Sequence, residues 1–218
     1  MLVLASIGTR LPLVGLPLRW LEVFFHEISH GLAALITFGR PVRLDLTWGG
    51  AGCCTSRGGW RIFVLPAGYL GAVCWGMLIY FAGVYLGQGA AYTLLGALLA
   101  LLIVTIIVLI RDVVSFIIML ILCGLFILPL QFPDVPFFNE LLRFMGMAVA
   151  INGLKSPLYL IDGKKEGDGA DLARLTWIPE GIWILLWFAW GVVGLLYMWQ
   201  VPLAQNQRWL TFLPFLHP

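Results

Sequence analysis

This sequence predicts an all-α membrane protein of about six transmembrane helices, with a short β-hairpin-like segment after the first. Three observations carry that expectation. Of 218 residues, 61% are hydrophobic and 11% charged, whereas soluble domains are roughly half apolar and a quarter charged; the mean hydropathy is +0.97. Apolar runs of about 20 residues, the length a helix needs to cross a bilayer, recur along the chain. The 10 Trp suit the interfacial belts, where amphipathic rings sit at headgroup level.

In chain order, the expected spans cover roughly 11–38, 62–86, 92–110, 113–130, 140–161 and 180–200, as one polytopic domain over residues 1–218. The first is long or bent, with Arg10 and Arg19 flanking its first half. Because these basic residues follow the apolar start, the segment reads as retained and not as a signal peptide. Residues 39–61 alternate apolar side chains at Val42, Leu44, Leu46 and Trp48 and then turn through glycines, a hairpin or edge-strand signal. Such an edge could accept an unwound peptide strand, or the segment could be a plain connector. Arg111 and Asp112 mark a tight turn that pairs the third and fourth spans as a hairpin, and QFPDVPFF breaks the chain before the fifth. Residues 162–179, DGKKEGDGADLARLTWIP, form the most polar stretch.

Charge distribution orients the bundle. Arg40, Arg43, Arg57, Arg61, Arg111, Lys164, Lys165 and Arg174 fall on one side, and Arg10 and Arg208 on the other. The positive-inside rule then puts both termini outside the cytoplasm. A net charge of +2, dispersed and without basic runs interleaved with aromatics, excludes a nucleic-acid partner. Cys53 and Cys54 are adjacent and lack Cys-x-x-Cys spacing; with Cys74 and Cys123 they read as small buried apolar residues.

The stretch FFHEISHGLAALI, residues 24–36, places His26, Glu27 and His30 inside an apolar helix. Ionisable groups within a membrane segment mark function. Spacing i and i+4 puts both imidazoles on one helical face, within reach of one Zn²⁺, and Glu27 is placed to act on water as general base. A catalytic zinc takes three protein ligands and keeps one position open. His217, in a proline-flanked tail, is a poor third. Asp162 ends the fifth expected span in LIDG; from spacing alone a helix-ending Asp-Gly turn is its better reading.

HEISH, together with Asn152, Pro157 and the Ile-Asp-Gly at 161–163, resembles the site-2 protease group of intramembrane zinc metalloproteases. The later GDGADLARLTWIPEGIWILLW is similar to the group's small bacterial and plant-type branch, which has no PDZ domain. The resemblance implies Zn²⁺ held by His26, His30 and Asp162, with Asp168 the second candidate for the third ligand. It also implies Glu27 as the catalytic base and Asn152 as a substrate-binding residue. Pro157 occupies another marked position, although its gap from Asn152 is longer than in the group and Ile161 replaces Leu. PAGYLGAVCWG, with Gly68, Gly71 and Gly76, is similar to a small-residue segment of the same group, or serves ordinary helix packing. The implied activity is hydrolysis of a membrane-spanning protein substrate in the bilayer, in a multi-pass protein of a bacterial cytoplasmic membrane. The competing expectation is a metal-binding or divalent-metal-transporting membrane protein without hydrolase activity.

Overall fold

A computed structural model describes residues 1–131, 138–161 and 164–211, with side chains described outside 12–13, 88 and 201–211. Helix α1 (Leu2–Gly8) precedes α2 (Pro12–Ile36), strands β1 (Arg40–Leu46) and β2 (Gly52–Arg57), α3 (Arg61–Tyr85), α4 (Gln88–Leu109) and α5 (Val113–Leu130). Then follow α6 (Phe138–Lys155), a 3₁₀ turn at Ser156–Leu160, α7 (Asp168–Thr176) and α8 (Glu180–Thr211). Each of the six expected spans is a helix. The expected hairpin is also present, as one two-stranded antiparallel sheet.

Among the described residues, four helices are long and apolar enough to cross a membrane: Arg61–Tyr85, Gly89–Leu109, Val113–Leu130 and Glu180–Gln200. The other two expected spans, α2 and α6, fall short of that measure, and burial gives the reason. Every residue of α2 from Trp20 to Gly31 is buried, as is α6 from Met145 to Ile151. The four apolar helices are only 28–39% buried. A helix enclosed by protein has no lipid-facing side to keep apolar, so α2 can carry Arg19, Glu22, His26, Glu27 and His30.

The inner helices pack closely on α3. At the α3–α6 crossing, a Cβ on Gly76 would stand 2.8 Å from both Ala150 N and Gly146 O. Only glycine lets the two backbones approach so far. The α4–α5 pair closes the opposite flank through Leu95, Leu98, Leu102, Ile118, Leu122 and Phe126. Asp112 starts α5 by accepting a hydrogen bond from Ser115 N at 2.9 Å, the usual work of an N-cap carboxylate.

The hairpin is set into this bundle. Leu44 and Leu46 are 0% and 2% exposed, as the alternation of residues 42–48 predicts. Ser115 Oγ both accepts from Leu46 N (2.7 Å) and donates to Leu46 O (3.2 Å), fastening β1 to α5. Trp20 Nε1 donates to Trp48 O at 3.2 Å and ties the hairpin tip to α2. With β1 anchored on one side, β2 is left alongside the functional face of α2.

Candidate metal centre

His26 and His30 stand one turn apart on α2, 8% and 6% exposed, and their Nε2 atoms converge to 3.0 Å. His30 is oriented by a hydrogen bond between its Nδ1 and Val64 O at 2.7 Å. With that nitrogen donating, its Nε2 presents a lone pair. His26 packs edge-on against Tyr69, ring centroids 4.4 Å apart, and Tyr69 stacks on Trp187 at 4.3 Å.

The third donor comes from α7. Asp168 Oδ2 lies 3.3 Å from His26 Nε2 and 3.2 Å from His30 Nε2. Its position follows from the docking of α7, whose Leu172 is 0% exposed and packs with Leu65, Tyr69 and Trp187. On the outer side, Arg61 Nη2 donates to Asp171 Oδ2 at 2.5 Å, and Arg174 also pairs with Asp171.

These three residues are, among those described, the group whose potential ligand atoms converge, all within 4.8 Å. The donor set fits Zn²⁺. Bonds of about 2.0–2.1 Å in a tetrahedron set ligand–ligand edges near 3.3 Å, and the edges here are 3.0, 3.2 and 3.3 Å. A lone pair of His30 Nε2 and a carboxylate oxygen of Asp168 directed at one point suit a cation held between them. Gly68 borders the same point: a Cβ there would collide with Nε2 of both histidines. Cys53 and Cys54 of β2 line the adjoining cavity but are not in this converging group.

Glu27 is 6% exposed and packs against Gly52 of β2, where a Cβ would stand 2.7 Å from its Cγ. It follows His26 directly, so its side chain points to β2 while the histidines face α3 and α7. A cavity of about 800 Å³ opens onto His26, Glu27, His30, Tyr69 and Asp168, with β2 along its wall.

Asp162, the expected third ligand, lies outside the described residues, and so does His217. The carboxylate found beside the histidine pair is that of the second candidate, Asp168. Asn152 sits on α6 with its Nδ2 buried and unpartnered, and it is not among the described residues that line the cavity. Pro157 is buried in the 3₁₀ turn. Three participants escape the sequence reading: helix α7, the Val64 carbonyl and Tyr69. Acidic Asp168 and Asp171 at its start and Arg174 at its end were a legible helix signal for α7. A backbone carbonyl leaves no such trace.

The fold and the site together define a polytopic membrane protein with a His-His-Asp group that could hold a metal ion and a neighbouring buried glutamate. The family model for Peptidase M50B-like proteins matches residues 1–200, and the chain belongs to this family, part of the site-2 protease group of membrane-embedded metallopeptidases. Neither the curated proteins nor the solved structures contain a match to the chain. Family membership and the four apolar helices make it an integral membrane protein, and the family is generally zinc-dependent.

Proposed function

We propose that this protein is an intramembrane zinc metalloendopeptidase that cleaves membrane-spanning protein substrates in a bacterial cytoplasmic membrane. The observation that carries the reading is the triangle of His26 Nε2, His30 Nε2 and Asp168 Oδ2, placed beside Glu27 on the wall of an 800 Å³ cavity. His26, His30 and Asp168 would hold the ion. Bound there, zinc supplies a Lewis acid that polarises the scissile carbonyl and brings the pKa of water to about 7.

The chain's own groups do the rest. Glu27 takes a proton from the attacking water on its carboxylate and returns it to the leaving amine. Its packing against Gly52 holds that side chain at the cavity wall. The carbonyls of an intact helix are tied up in intrahelical bonds, so substrate unwinds before it is cut. β2 pairs with β1 through one edge and lines the cavity from Gly52 to Ser56. An extended segment can add along its other edge.

The inner helices α2 and α6 complete six crossings of a single domain, with both termini outside the cytoplasm. His30 is then about 9 Å from the cytoplasmic end of α2 at Ile36, from its distance along the helix at 1.5 Å per residue. The hairpin and α7 share that end with eight basic residues, from Arg40 to Arg174, as the positive-inside rule asks.

Zinc content and turnover, measured on the purified protein and on Glu27→Gln, test the reading. The peptidase keeps zinc and loses cleavage in the variant. A native protein that binds no zinc when prepared without chelator sinks the proposal. A metal-transporting protein gives no separation between metal retention and turnover.

A further inference from the structure

Two buried polar atoms on one face of α2 lack partners, and they are complementary. Glu22 is 2% exposed, and its Oε1 has no hydrogen-bond partner. One turn further along, His26 Nδ1 is also buried and unpartnered. Residues four apart on a helix are neighbours, with Cβ atoms about 5–6 Å apart. Leaving a carboxylate oxygen and a ring N–H both unsatisfied away from water is costly. Glu22 is not among the described residues that line the cavity.

The two histidines differ in this respect. The ring nitrogen that His30 turns away from the site is satisfied by Val64 O, whereas that of His26 is not. A histidine that binds metal through one nitrogen nearly always donates the other N–H to a carboxylate or carbonyl, which fixes the tautomer and the ring orientation.

We propose that Glu22 is the positioning residue for His26: its carboxylate accepts the Nδ1–H of His26 and so holds Nε2 toward the metal. The proposal rests on the zinc-peptidase reading and extends it. Glu22 then supports His26 from within α2, as Val64 O of α3 supports His30.

The test uses full-length protein in detergent, with ¹⁵N-labelled histidine; the chain has 3 His, so few ring signals compete. Zinc affinity is measured by chelator competition for the native protein, Glu22→Gln and Glu22→Leu. The Leu variant binds zinc about 10–100-fold more weakly, in the range for loss of such a supporting partner. Gln, which keeps an acceptor oxygen, restores most of that loss. The His26 Nδ1 proton resonance leaves its downfield position in the Leu variant, while that of His30 stays.

Native zinc affinity in the Leu variant, with an unmoved His26 resonance, overturns the proposal. Should Leu not fold, Gln decides: exchanging carboxylate for amide moves the His26 proton upfield, and an unmoved signal rejects the role. A native protein that takes up no zinc fails in a different way, removing the peptidase reading and this extension with it.

Discussion

Asp168 Oδ2 stands 3.3 Å from His26 Nε2, across 142 positions of sequence. Neither residue reaches that distance through local structure. The α2 helix is buried near His26, and α7 is seated by Leu172 against α3 and α8. If this contact marks the metal site, Asp168→Ala removes zinc from the purified protein, whereas Asp162→Ala keeps it. Metal analysis of the two variants, with His26→Ala as the reference for loss, separates the candidates. Zinc retained in Asp168→Ala and lost in Asp162→Ala would reverse the assignment.

Gly68 is open to a steric test. A methyl group there meets Nε2 of both histidines, so Gly68→Ala occupies the space the ligand atoms share. Zinc content is expected to fall to background and cleavage with it, while the helical circular dichroism spectrum stays native. A Gly68→Ala protein with full zinc content would show that the histidine rings can retreat from α3.

Glu27 belongs to the chemistry and not to the triad. Replacing it by Gln leaves His26, His30 and Asp168 in place but removes the proton acceptor. Turnover is expected to drop by about 10²–10⁴, the usual worth of a positioned general base, at unchanged zinc stoichiometry. Single-turnover cleavage of a membrane-embedded reporter reads this directly.

The Arg61–Asp171 pair steadies α7 from the solvent side, with the Arg61 side chain 64% exposed. Exposed pairs contribute little, so Asp171→Asn should weaken zinc binding by no more than about five-fold. Raising the salt should weaken zinc binding to the native protein toward that of the variant. A loss as large as that of Asp168→Ala would mean that Asp171 touches the metal site itself.

Trp187 is 2% exposed and carries the Tyr69 ring that packs on His26. Truncation to Ala leaves a large void and is expected to destabilise the fold by about 3–5 kcal/mol. The unfolding midpoint in detergent reports this cost, and zinc affinity falls with it because the His26 ring loses its backing.

The half of the site carried by α2 was legible because its geometry is local. His26 and His30 are four residues apart, and any helix through HEISH aligns them. The hairpin was legible for a similar reason, since alternation at Leu44 and Leu46 has the period of a strand. Hydropathy located all six long helices, but it could not distinguish a helix among lipids from one among helices. The burial of α2 and α6 is therefore information that a count of apolar residues does not contain.

By itself, then, the sequence determined a helical membrane protein and the HEISH pair with its glutamate, and its family resemblance added a late carboxylate as the expected third ligand. Only the tertiary structure decided which carboxylate stands beside the histidines. Asp162 and Asp168 are six residues apart in a polar stretch, and local propensity does not rank them as ligands. Asp168 is placed by the packing of Leu172 against Trp187 and against Leu65 and Tyr69, which lie about a hundred residues earlier in sequence. The same packing sets Gly68 against the histidines, and Val64 O against His30 Nδ1. Each of these distances depends on where one helix rests on another, a relation that periodicity within a single segment cannot encode.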